Sequence, residues 1–177
     1  MIDVEQTTET ELTDVLAYAG LVLVAFELVK SLVIRPIKNF YTGITFAHGM
    51  SFVSYEQDVL VRHNNEFEAC LLYLRDFMYA IDSDDLHAIQ GLRKHRNDIA
   101  HDLPNRLESL KVEDYAQLLK ALDKALFKLS NHNAYIEIGS DPKIQAMNIE
   151  WDTVQGHEYI LFRALLDKVH RLKGRLE

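Results

Sequence analysis

The run Leu92-Arg93-Lys94-His95-Arg96-Asn97-Asp98-Ile99-Ala100-His101-Asp102 gathers the residue types that could do chemistry. An Arg-Asn pair is followed, after three residues, by a histidine. Arginine grips a phosphate in a forked geometry and stays charged throughout a reaction. An imidazole, with an unperturbed pKa of about 6.5, can take or give a proton near neutrality. The set suits a phosphodiester. RNA brings its own nucleophile, the 2′-hydroxyl. Cutting it without a metal needs a group to remove that proton, a group to protonate the 5′-oxygen, and a cation for the added charge on the phosphate.

On a helix each residue advances by roughly 100 degrees, so Asn97 and His101 lie within roughly 40 degrees of each other. Arg93, four residues before Asn97, extends the stripe. Arg96 is displaced from His101 by roughly 140 degrees, so the two do not stack directly, though a long guanidinium can swing round or meet a histidine from a second copy. Two copies meeting along this stripe would bring two arginines and two histidines around one groove.

The elements that must hold this stripe read as helices. Thr10, Thr13 and Asp14 offer N-caps for a first helix through Val15, Leu16, Ala19, Val22, Leu23, Phe26, Val29, Leu32 and Val33, expected to stop near Pro36. Its apolar residues go most of the way round, which places it centrally in a bundle. Residues 39–53 read as a long loop. Asn64 or Asn65 caps a second helix with Phe67, Cys70, Leu71, Leu74, Phe77 and Met78 inward. Asp82-Ser83-Asp84-Asp85 caps a third, with Leu86, Ile89, Leu92 and Ile99 on its apolar side and Pro104 at its end. A fourth spans Val112 to Leu129, and a last runs from about Thr153 to Lys173. Residues 131–148 between them, including Ala134 to Ile138, read as loop. The expected fold is all-α, a single-domain bundle of about five helices over residues 1–177, with a long loop after the first helix and another before the last.

The 177 residues carry a net charge of -8, 48% hydrophobic and 26% charged residues, ordinary for a globular domain and unlike a general nucleic-acid coating protein. A local basic site at Arg93, Lys94, Arg96 and Arg106 remains compatible with that charge. The single cysteine, Cys70, excludes an intrachain disulfide framework and fits a reducing cytosol. The acidic start resembles no secretory signal, and Val15 to Phe26 falls short of the ~20 apolar residues that span a bilayer. A cytoplasmic protein with no membrane partner is expected. His48, His63, His87, His132, His157 and His170 lack ligand spacing, so no metal and no cofactor is expected. Asp82, Asp84 and Asp85 lack the glycine and distal glutamate of a calcium loop and are better read as caps. Trp151, Tyr135, Phe40, Tyr41, Phe46 and Phe52 could stack bases, though core packing accounts for such residues more often. Glu27, after a dozen uncharged residues, is a candidate buried carboxylate, paired either with Lys30 or with Arg93 or Arg96.

Arg96-Asn97-Asp98-Ile99-Ala100-His101 resembles the motif of the HEPN superfamily (higher eukaryotes and prokaryotes nucleotide-binding domains): an arginine, a polar residue directly after it, and a histidine four to six residues on. Members are helical bundles that dimerise so that both copies of the motif line one cleft. Many are metal-independent endoribonucleases in toxin-antitoxin, antiviral or RNA-processing systems. The resemblance implies Arg96 as phosphate binder, Asn97 as orienting amide and His101 as proton-transfer residue. Arg93 and Lys94 would assist substrate binding, and Glu27 would support the arginines. RNA, a second copy of the chain and a cognate antitoxin or regulatory protein are the implied partners. One toxin branch carries a tyrosine two residues after the histidine; here Leu103 stands there, which sets this chain apart from it. Some members keep the fold only for binding, so a non-catalytic module that dimerises or holds RNA or a protein partner is the alternative.

Overall fold

Helix α1 sets the architecture. In this computed structural model it runs Glu9–Gly43, and α3, α4, α5 and α7 all pack on it. The structure describes residues 8–43, 54–106, 112–139 and 141–173. Residues 44–53 of the expected first loop, with Phe46 and Phe52, lie outside the described residues, as do Glu108 and Arg175. So do the side chains of Asp102, Leu103 and Arg106. After α1 come α2 (Tyr55–Asp58), α3 (Glu66–Asp76), α4 (Ser83–Arg106), α5 (Val112–Ile138), α6 (Pro142–Gln145) and α7 (His157–Lys173). Two 3-10 turns, Leu60–Arg62 and Trp151–Thr153, precede α3 and α7. The fold is all-α. Its described residues form seven α-helices rather than about five, because the single turn α6 falls in a stretch expected to be loop and the single turn α2 falls between the expected first loop and second helix, where no element was expected.

One buried cluster joins the long helices. Val22, Ala25, Val29 and Val33 of α1 meet Leu71 of α3, Ile89 and Leu92 of α4, Leu122 and Leu126 of α5, and Phe162 of α7. The expected inward faces of α3 and α4 hold at Phe67, Cys70, Leu71, Leu74, Leu86, Ile89, Leu92 and Ile99, all buried. Phe77 does not follow them. It lies past the end of α3, exposed, and stacks on Tyr73 with ring centroids 4.9 Å apart.

Three expected helix ends are corrected. First, α1 passes through Pro36 instead of stopping there. Proline removes one hydrogen bond and crowds the preceding turn, but the residues beyond it are well anchored. Ile37 is buried, and Tyr41 donates to Asp58 Oδ2 and lies 3.1 Å from the Tyr73 hydroxyl. Second, α4 continues through Pro104 to Arg106. Third, α5 does not end at Leu129; it runs to Ile138, so Ala134 to Ile138 is neither loop nor strand. The polar pair Ser130-Asn131 that interrupts its apolar pattern has work elsewhere. The Asn131 amide donates to the carbonyls of Trp151 (2.5 Å) and Val154 (2.9 Å), fixing the turn before α7. Ser130 is buried where Gly156 comes so close that a Cβ would lie 2.3 Å from the Ser130 hydroxyl. The last helix accordingly starts at His157, not near Thr153.

The first helix is not capped at Thr10, Thr13 or Asp14: it starts at Glu9, and the Glu11 N–H donates to Thr8 Oγ1 at 3.2 Å. The caps of α3 and α4 were legible locally. Asn65 Oδ1 accepts from the Glu68 N–H, as a capping residue should. Asp82 and Asp85 cap reciprocally: the Asp85 N–H donates to Asp82 Oδ1 (2.9 Å) and the Asp82 N–H to Asp85 Oδ2 (3.0 Å).

The apolar part of α1 is longer than Val15 to Phe26 suggested. One 18-residue window within Glu9–Thr42 reaches a mean hydropathy of 1.9, enough in length and composition to cross a membrane, and half of that window is buried inside this bundle. Leu16 and Val24 remain on the outer face.

Candidate functional site

Helix α4 carries all the residues of the motif, and its orientation is set by Leu86, Ile89, Leu92 and Ile99, which face the core. Arg93, Arg96, Asn97, Ala100 and His101 then fall on one flank, from the seam with α1 and α3 out to solvent. The helix is unbroken between Arg96 and His101, so the angular offsets expected from the sequence apply.

Arg96 sits at the seam with α1. Its Nη2 lies 3.6 Å from Glu27 Oε1, its guanidinium carbon is 5.2 Å from the centre of the Phe26 ring, and Nη1 donates to Asn97 Oδ1 at 3.2 Å. A carboxylate, an aromatic face and an amide thus restrain one guanidinium that is still 32% exposed along its side chain. Of the two pairings weighed for Glu27, the one with Arg96 is formed. The expected burial of Glu27 is not: its side chain is 58% exposed. The apolar residues before it belong to the core-facing stripe of α1, whereas Glu27 points off that stripe.

Arg93 is held differently. It pairs with Glu68 of α3 at 2.5 Å and lies 5.8 Å from the Phe67 ring, while Gln90 donates to the other Glu68 oxygen at 2.9 Å. Glu68 is well covered, so Arg93 is a tie between α3 and α4 whose charge is largely offset. Lys94 is exposed further round the helix, away from the Arg96 seam. His101 is exposed, and its ring makes no hydrogen bond with a described residue. Ala100 beside it is also exposed.

The structure therefore brings Glu27 and Asn97 into contact with Arg96 and sets His101 roughly 140 degrees round the helix from Arg96, without joining it to them. Sequence reasoning missed Glu68, Gln90 and the Phe26 and Phe67 faces as supports. Phe26-Glu27 carries a local hint, an aromatic beside a charge at the end of an apolar run. Glu68 carries none, because only the packing of α3 on α4 brings it to Arg93.

Among the described residues, no three His, Cys, Asp or Glu side chains come together as a metal site. Cys70 is buried, and that burial pushes its thiol up, away from the thiolate form a nucleophile needs. Tyr55 and Tyr41 are likewise pushed up, first by burial and then by hydrogen bonds to Cys70 and Asp58 respectively. Comparison with protein-family models, with curated proteins and with solved structures returns no match.

Proposed function

We propose that the chain is a metal-independent endoribonuclease of HEPN type that works as a homodimer. The observation that carries this reading is α4, where Arg96 is oriented by Glu27, Phe26 and Asn97 while His101, five residues on, stands exposed. Arg96 and His101 diverge by roughly 140 degrees around one helix, so a phosphate gripped by one is poorly placed for the other. A second copy meeting this flank supplies the missing partner.

In the proposed reaction the 2′-hydroxyl oxygen attacks phosphorus and the bond from phosphorus to the 5′-oxygen breaks. One His101 takes the 2′ proton, and the other protonates the departing 5′-oxygen. The products are a 2′,3′-cyclic phosphate and a free 5′-hydroxyl. Arg96 balances the charge on the phosphoryl oxygens, and Glu27 keeps its guanidinium from folding back on α4. Asn97 holds the fork through its amide oxygen. Arg93 and Lys94 then have lesser parts: Arg93 ties the platform together through Glu68, and Lys94 adds positive potential further round.

The test is cleavage of a structured RNA by the full chain with EDTA present. Product that disappears in both Arg96→Ala and His101→Ala supports the reading; unchanged cutting by His101→Ala overturns it. The second reading, a non-catalytic module that binds RNA or a protein partner, draws on the pairing of Arg96 with Glu27 and Arg93 with Glu68 on an acidic body. It predicts binding that survives both substitutions, with no product from the wild-type chain.

A further inference from the structure

The turn from α3 into α4 holds a tyrosine in backbone that suits glycine. The Ala80 N–H returns to the Leu74 carbonyl at 2.9 Å, and Tyr79 before it takes the left-handed conformation with φ 53°. Helices commonly close in this way, with glycine at the left-handed position. A tyrosine is strained there, because its Cβ crowds the neighbouring carbonyl. Packing does not offset the strain. Tyr79 is 83% exposed, and it makes no hydrogen bond or ring contact with a described residue.

The side chain borders an open groove of about 480 Å³, within the range of small-ligand sites, roughly 300–1,000 Å³. Arg75 and Asp76 of α3, Asp82 and Ser83 at the start of α4, and Lys128 of α5 line it with Tyr79. Both cations are already paired. Lys128 is committed to Asp82 and buried Asp85, which also cap α4, so those carboxylates repel any anion at that helix end. Arg75 Nε donates to Asp76 Oδ1 at 2.6 Å, and Nη2 to Oδ2 at 3.0 Å. That leaves Nη1 and the outer lone pairs of Asp76 side by side on a flat, partly exposed fork. The groove thus offers an aromatic face and adjacent donors and acceptors, with its charge nearly cancelled.

We infer that this groove binds one unpaired nucleobase, stacked on Tyr79 with its polar edge against the Arg75–Asp76 fork. A base is flat and neutral, its face stacks on aromatic rings, and its edge sets donors beside acceptors. A phosphate would meet cations that are already neutralised. A saccharide has hydroxyls for the fork but no π face for the ring. The groove lies at the other end of α4 from Arg96, roughly 20 Å along the axis, so the assignment does not rest on the nuclease reading.

The experiment titrates the isotope-labelled full chain with a single-stranded deoxypentanucleotide, with the same strand lacking its bases, and with adenosine. The Tyr79 ring and Ser83 amide resonances report binding. These strands have no 2′-hydroxyl, so the proposed cleavage does not occur and binding is read by itself. The strand with bases should shift both groups saturably and bind about tenfold more tightly than the baseless strand of equal charge. Tyr79→Gly, read at the Ser83 amide, should lose about tenfold in affinity yet melt no lower than the wild-type chain, since glycine adopts this backbone without strain. Adenosine binding as tightly as the strand assigns the groove to a free nucleoside; tighter binding by the strand assigns it to a nucleic acid. Equal binding of the two strands, no saturable shift, or undiminished binding by Tyr79→Gly overturns the assignment. Cleavage by Arg96 and His101 would stand or fall separately, on the assay with EDTA.

Discussion

The two halves of α4 use charge in opposite ways. At its N-terminal end Asp85 is 2% exposed and fully engaged: Lys128 lies 2.5 Å from it and 2.7 Å from Asp82, and the two aspartates cap the helix through each other's N–H groups. Partial burial pulls the Lys128 pKa down, but hydrogen bonds and attraction from both carboxylates outweigh it and hold the ammonium above its ordinary value. At the C-terminal half Arg96 is restrained yet partly exposed, and His101 is exposed with no hydrogen bond from its ring to a described residue. Charge that is saturated with partners inside the bundle fixes the fold. Charge that is oriented but left accessible is what a substrate can use.

Substitution at each end should separate these roles. His101→Ala should lower RNA cleavage by about 100- to 10,000-fold, the usual worth of one proton-transfer group, and leave the thermal midpoint unchanged. Steady-state cleavage and a melting curve on the same sample check both halves of that statement. Lys128→Met should do the reverse. Leaving Asp85 buried with one fewer partner should destabilise the fold by about 2 kcal/mol, below the full value for a buried pair because Lys128 is partly exposed, with cleavage by the folded fraction unaffected. Urea denaturation reads that loss. Equal damage to cleavage from Lys128→Met would collapse the distinction between the two ends.

Acid sharpens the same contrast. The Lys128 ammonium, and after it the Asp85 N–H, hold the Asp82 carboxyl well below the usual carboxylate range. A depressed folded pKa contributes stability above the unfolded value, near 3.9, and that contribution is lost as pH falls through the folded one. Melting curves of the wild-type chain should therefore drop below about pH 4, and less steeply in Lys128→Met, where the main cause of the depression is gone. The smallest effect is expected from Glu27→Gln. An exposed pair at 3.6 Å contributes little stability, so melting should not change. Cleavage should fall by about two- to fivefold as Arg96 loses its orientation, within the ~0–1 kcal/mol such pairs are worth. A rise in cleavage would instead mean that Glu27 competes with the phosphate for Arg96.

Much of this was written into local sequence. The threefold and fourfold spacing of Phe67, Cys70, Leu71 and Leu74, and of Leu86, Ile89 and Leu92, determined two helices and the faces they bury. Asn65 and Asp82 determined where those helices begin, because a side-chain acceptor meets an N–H only three residues away. The spacing of Arg96, Asn97 and His101 determined their angular relation as soon as the segment was helical. Tertiary structure alone decided that α1 runs on past Pro36, that Ser130 and Asn131 serve the approach to α7 instead of ending α5, and that Glu27 faces solvent beside Arg96 while Glu68 takes Arg93. Helical periodicity and capping act over three or four residues and can be read along the chain. Those other outcomes turn on which helix faces meet, and partners so distant in sequence are chosen by the packing of the whole core.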